Sequence, residues 1–193
     1  MKLNNWEHCS PLYLCDNFED DFDDIIDHLS SAKVVVELGF GTNVLLPRIL
    51  KLNVTYYGYE KTAVFVKWAR EKFTTNNVHF EVIGMDDLVG ISNAITKVNP
   101  DTLIIRNSLE YLPNWSEVLD NINNLKVPKI LIATFSTPVE VSRSTVLTAN
   151  KGKNTYTMNF FSTTDICNHL SFYIMTEMKR YKERNVLRIF NLR

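Results

Sequence analysis

Apolar and polar positions along this chain follow two different periods. Lys33–Glu37, Val54–Tyr59, Val78–Ile83, Thr102–Ile105 and Ile130–Phe135 are short runs rich in β-branched and aromatic residues, and they predict strands. Between them the period lengthens to that of a helix. The clearest case is Lys61–Phe73, where Val64, Phe65, Trp68 and Phe73 recur among Lys67, Arg70, Glu71 and Lys72. Asp20–Leu29 places Phe22, Ile25, Ile26 and Leu29 at helical spacing, and a further helix is expected from near Pro113 to Leu125. Alternating strands and helices predict βαβ crossovers, hence a mostly parallel sheet with helices on both faces.

The pattern changes toward the C-terminus. Ser162-Thr-Thr-Asp165 reads as a capping box opening a short helix through Leu170. Phe172–Met178 and Val186–Asn191, separated by the charged stretch KRYKER, predict an antiparallel hairpin that completes a doubly wound, seven-stranded α/β sheet. The stretch FSTPVEVSRSTVLTANKGKNTYTMNFF after the fifth strand is expected to be a long polar loop, of the length that usually serves a function. It would lie at the same sheet edge as the first strand's turn and could cover a substrate. The acidic run Glu19, Asp20, Asp21, Asp23, Asp24 reads as a solvated helix start favoured by the helix dipole.

The chemistry concentrates in VVVELGFGTN, Val34–Asn43. A carboxylate at the tip of a core strand is costly unless something there needs it. Gly39 and Gly41 then indicate a sharp turn with close approach to the backbone. In a doubly wound sheet that turn lies where ligands bind. The dinucleotide fingerprint G-x-G-x-x-G is broken, because Val44 stands at its last glycine. Glu-x-Gly-x-Gly suits instead a ligand combining an amino acid with a nucleoside. A second acidic strand end, Glu60, follows in VTYYGYE, and a third region, IGMDDL, offers Asp86 and Asp87.

On these residues the chain resembles the class I, Rossmann-like S-adenosylmethionine-dependent methyltransferases, over roughly Lys33–Leu112 and more loosely the terminal hairpin. The resemblance implies S-adenosyl-L-methionine as cofactor, with Glu37, Gly39, Gly41, Glu60, Lys61, Met85, Asp86, Arg106 and Asn107 around it. Glu37 would orient the donor's ammonium and Glu60 would accept from both ribose hydroxyls. Asp86 (or Asp87) would accept from the adenine amine with Met85 against the ring, and Arg106 and Asn107 would lie near the amino-acid portion. Asn43 stands where a third glycine is common. Glu110 and Tyr111 fall near the transferred methyl and are the candidate catalytic residues, with His8 a further candidate base. The Asn-Pro-Pro-aromatic signature of enzymes that methylate exocyclic base amines is absent. A small-molecule acceptor is therefore favoured over nucleic acid.

Composition leaves this reading intact. The chain has 193 residues, 45% hydrophobic and 22% charged, with formal net charge -1. One domain spanning 1–193 is expected; the family resemblance implies that residues 1–30 form a helical segment over the acceptor pocket, with Trp6 and Tyr13 either in its wall or in ordinary surface packing. That charge exerts no general pull toward nucleic acid or membrane. No signal peptide is evident and no apolar run reaches ~18 residues. Three cysteines without a scaffold pattern suit a reducing cytoplasm. His8, Cys9 and Cys15 lack a fourth ligand, so no metal site is expected. His79 and His169 read as structural. Other readings are an aminoalkyl transferase or lyase using the same donor, a non-catalytic binding module, and a nicotinamide dehydrogenase.

Overall fold

A computed structural model describes residues 20–42, 44–134, 139–149, 154–181 and 185–193. In chain order the elements of the first half are α1 (Phe22–Leu29), β1 (Val34–Leu38), α2 (Leu46–Ile49), β2 (Thr55–Glu60), α3 (Ala63–Lys72), β3 (Val78–Val82) and α4 (Leu88–Val98). They continue with β4 (Thr102–Arg106), a 3-10 turn (Leu109–Tyr111), α5 (Trp115–Leu125), β5 (Lys129–Thr134), β6 (Arg143–Ala149) and β7 (Asn154–Phe160). The last are α6 (Thr163–His169), β8 (Tyr173–Tyr181) and β9 (Asn185–Leu192). No helix among the described residues is long and apolar enough to cross a membrane.

The seven-stranded sheet has the order β3-β2-β1-β4-β5-β9-β8. β1 to β5 run parallel, β9 joins β5 antiparallel, and β8 pairs antiparallel with β9. Each central strand is buried on both faces, so its side chains sort by parity. Val36, Leu38, Leu103, Ile105, Ile130 and Ile132 face α4, α5 and α6. Val35, Tyr56, Ile104, Leu131 and Ala133 face α1, α2 and α3. Helices on both sides follow from strands that need cover on both sides.

Winding reverses between β1, which leads outward to β2 and β3, and β4, which leads outward to β5. The crevice at the C-terminal ends of β1 and β4 is thus the switch point, where ligands bind in open α/β sheets.

Three expectations need correction. The stretch after β5 is not simply a loop: β6 and β7 pair antiparallel as a separate two-stranded sheet, Arg143 opposite Phe160 through Ala149 opposite Asn154. Asn159 anchors it, with Nδ2 donating to Leu112 O (2.7 Å) and Oδ1 accepting from Ser144 (2.6 Å). The capping box forms by half. Ser162 caps α6 by accepting from Asp165 N, while the Asp165 carboxylate accepts from Ser142 N at the hairpin's base.

The acidic run is not merely solvated either. Asp21 is fully buried and pairs with Arg106, Asp23 pairs with Arg48, and Asp24 pairs with Lys179 and accepts from Tyr181. Phe22 lies between the guanidinium groups of Arg106 (4.5 Å) and Arg48 (5.0 Å). α1 is thereby tied to α2, to β4 and to the far edge of the sheet. Trp6, His8, Cys9, Tyr13, Cys15, Asn43, Lys151 and Lys153 lie outside the described residues.

Candidate functional site

The turn after β1 has the geometry its glycines require. Gly39 has φ +70° and Gly41 φ +52°, in the left-handed region that favours glycine. The two differ in what surrounds them. A Cβ on Gly39 would lie 2.7 Å from Ser108 Cβ and 3.1 Å from Met85 Cε, whereas one on Gly41 would meet none of the described residues within 4 Å. Gly39 therefore admits close packing within the fold, and Gly41 faces open space. Phe40 points the other way, into the core, where it fills the room above Gly58 and tilts against Phe80 at 5.3 Å. The turn is held from both sides.

Glu60, at the end of β2, closes the turn. Its Oε2 accepts from Gly41 N (3.1 Å) and its Oε1 from Thr62 N (2.9 Å) at the start of α3. Each carboxylate oxygen keeps a lone pair for a further donor. Glu60 is 7% exposed.

Glu37 sits one strand over, on the α1–α3 face, 3% exposed. Tyr56 on β2 donates to its Oε2 at 2.6 Å. Burial pushes the Glu37 carboxyl up to about 7, against the pull of that hydrogen bond and of the Arg106 charge, with Glu60 and Asp21 adding to the rise. Burial beside Glu37 likewise raises the Tyr56 hydroxyl well above its ordinary value. Arg106 turns its guanidinium to Asp21, with Nη2 to Oδ1 at 2.9 Å and Nε to Oδ2 at 3.1 Å. The residue expected beside the donor's amino-acid portion is thus held by Asp21, just ahead of α1.

The third strand end separates the two neighbouring aspartates. Asp87 caps α4, accepting from Gly90 N at 2.9 Å, while Asp86 is exposed beside Gly84 and Lys61. Met85 is 7% exposed, part of the core, with its methyl against Gly39. Lys61 is exposed.

Across the crevice, Asn107 follows β4 in a left-handed conformation, φ +52°, its N–H donating to Ala133 O at 2.9 Å. Its Nδ2 and Oδ1 are both buried without a hydrogen bond among the described residues. A buried amide in this state calls for a partner such as water, an ion or a ligand. Ser108 packs on Gly39 and donates to Leu38 O at 3.3 Å.

Glu110 is fully buried on the 3-10 turn, and Tyr111 beside it is half-buried. On the same face of the sheet lies Arg188 of β9, also fully buried, donating to Thr134 at 3.0 Å and Thr163 at 3.2 Å. Burial lowers the Arg188 guanidinium to about 10 while the Glu110 charge holds it up. His79 stacks on Tyr57 at 4.6 Å, and His169 bonds Asp120 at 2.7 Å, both away from the crevice.

No family model matches the chain, and no curated protein matches it by sequence. Solved structures do. A glycopeptide N-methyltransferase solved with S-adenosyl-L-homocysteine is similar at TM-score 0.69 and 13% identity, covering 93% of this chain and 92% of that one. The CcbJ methyltransferase of Streptomyces caelestis is similar at TM-score 0.67 and 13% identity, covering 90% of each chain. The chain has the class I methyltransferase fold. A third neighbour is the 1,6-didemethyltoxoflavin-N1-methyltransferase of Burkholderia thailandensis, at TM-score 0.65 and 14% identity, over 89% of this chain and 76% of that one.

Within this methyltransferase fold the expected residues Glu37, Gly39, Gly41, Glu60, Met85, Asp86 and Asn107 gather at the switch-point end of the sheet. Four further residues shape that end without having been expected: Tyr56, Asp21, Ser108 and Arg188. Only Arg188 left a signal in the sequence, a lone charge inside the apolar run Val186–Phe190.

Proposed function

We propose that this protein is an S-adenosylmethionine-dependent methyltransferase acting on a small molecule. The observation that carries the reading is the set Glu37, Glu60 and Asp86 at the ends of three adjacent parallel strands, around a left-handed glycine turn whose Gly41 faces open space. The methyltransferase fold and the ligand-bound neighbours support it.

The residues present fit the donor. Glu37 receives its ammonium, Glu60 its ribose hydroxyls and Asp86 its adenine amine. The orphaned amide of Asn107 takes the polar atoms of the amino-acid portion. Arg106, engaged with Asp21, acts on Glu37 through its charge. When bound, S-adenosylmethionine supplies an electrophilic methyl group on a sulfonium. The chain's task is to hold acceptor and methyl in line and exclude water. Glu110 and Tyr111 stand on the acceptor side, where a proton acceptor is needed only if the acceptor loses a proton on reaction. The β6–β7 hairpin covers the 3-10 turn that bears them. The protein acts as one domain in the cytoplasm.

The test is calorimetric titration with S-adenosylmethionine and S-adenosylhomocysteine, followed by product analysis with a panel of small-molecule acceptors. Binding of both, with release of S-adenosylhomocysteine, is expected. No heat and no shift in melting temperature at millimolar ligand would sink the reading, and methylthioadenosine as product would replace methyl transfer with another reaction of the same donor.

A further inference from the structure

We propose that Tyr56 is a positioning residue of the donor site: its hydroxyl satisfies one oxygen of Glu37 and leaves the other for the donor's ammonium. The inference rests on the reading above and extends it to a residue inside the sheet. Tyr56 is fully buried near the start of β2, and its hydroxyl reaches across to β1 at 2.6 Å from Glu37 Oε2. Glu37 Oε1 has no hydrogen bond among the described residues.

The network around this pair explains why a cation is wanted there. Arg106, from the end of β4, would be the natural counterion of Glu37. It is drawn off by Asp21, which holds it through three contacts of 2.9–3.3 Å and is itself fully buried. Glu60, at the end of β2, adds a second carboxylate. Among the described residues the charged or titratable groups facing Glu37 are thus Tyr56 from β2, Arg106 from β4, Asp21 ahead of α1 and Glu60. They amount to three carboxylates, Glu37 included, against one arginine. A cation arriving at Oε1 reduces this excess of negative charge.

A proton follows from the same arrangement. With its carboxyl raised by burial to about 7, Glu37 is partly protonated near neutrality in the ligand-free protein. An ammonium beside it favours the carboxylate. Binding therefore expels the Glu37 proton to solvent, and the ligand's ammonium stays charged. Affinity rises with pH toward 7, because below that value the proton must first be displaced. Tyr56 donates only to the ionised form with full strength, so removing its hydroxyl holds the proton more tightly.

The experiment is titration of the full chain with S-adenosylhomocysteine at pH 6.5 in two buffers of different ionisation enthalpy, which counts protons released. The parent should release a substantial fraction of one proton. Tyr56→Phe keeps the ring and its packing. It should bind roughly tenfold more weakly, the scale of one hydrogen bond to a charged group, and release more of a proton at the same pH. In a Glu37→Gln background, release should vanish and Tyr56→Phe should cost little further affinity. Parent-like affinity and release in folded Tyr56→Phe overturn the proposal, as does an equal cost in both backgrounds. Should Tyr56→Phe fail to fold, Glu37→Gln alone decides: persistence of proton release overturns the network and its loss supports it. A parent that binds no S-adenosylhomocysteine overturns the methyltransferase reading itself, a separate outcome.

Discussion

Two glycines of one turn answer to different constraints. Gly39→Val drives a side chain into Ser108 and Met85 and should lower the melting temperature whether or not ligand is present. Gly41→Ala meets no atom of the described residues and carries chiefly the strain of a left-handed residue, about 1–2 kcal/mol. It should fold, yet bind S-adenosylhomocysteine distinctly more weakly. Equal affinity in folded Gly41→Ala would mean that the ligand does not approach this turn. Glu37 offers a second residue-level test. Its carboxyl, ordinarily near 4.5, is raised to about 7 by burial in the fold. Between those values the folded state keeps a proton that the unfolded state has shed, so stability falls as pH rises through the window. Glu37→Gln should remove that fall. Denaturant melts of the ligand-free proteins should show the variant gaining on the parent by on the order of 3 kcal/mol between pH 4 and pH 8; a constant difference would show that Glu37 is not held neutral. The carboxylate and glycines were legible in the sequence because strand, turn and ligand contact are consecutive there. Tyr56 was not, since its partner lies 19 residues away on a neighbouring strand and a tyrosine in a strand looks like ordinary core.

Elements with a one-sided or two-sided apolar pattern could be read directly, and the parallel strands and α3, α5 and α6 fell within a few residues of expectation. The β6–β7 hairpin could not. Arg143–Ala149 and Asn154–Phe160 are rich in threonine, valine and tyrosine, which favour strands, but polar residues recur on both faces and no alternation marks a core side. What fixes the hairpin is polar, chiefly Asn159, which is 2% exposed and bonds both Ser144 and the carbonyl of Leu112. Asn159→Ala leaves that carbonyl without its donor and should cost about 1–3 kcal/mol. Hydrogen exchange should then quicken in both hairpin strands while β1 to β5 stay protected. Uniform loss of protection would show that hairpin and sheet form one cooperative unit.

At the scale of the molecule, α1 belongs to the architecture as much as to any pocket. Its Phe22, Ile25 and Leu29 are at most 1% exposed, and burial of such side chains contributes about 1.5–3 kcal/mol each. Asp21→Asn removes the buried negative charge that Arg106 meets through three contacts, and should lower the unfolding free energy by about 3–5 kcal/mol in denaturant titrations. A loss under 1 kcal/mol would mean the pair is a surface-like contact. The acidic run looked like a solvated helix start because its partners are so remote: 25 residues on for Arg48, 85 for Arg106, and 155 and 157 for Lys179 and Tyr181. That remoteness has a consequence for the order in which the protein is made. The helix leaves the ribosome well ahead of its remotest partners, which follow 155 and 157 residues behind, roughly 10–30 s later at ordinary rates of synthesis. Through that interval Asp24 has neither its lysine nor its tyrosine. Nascent chains arrested before Lys179 should therefore be cut readily by protease near residues 20–30, and chains released beyond Leu192 should resist.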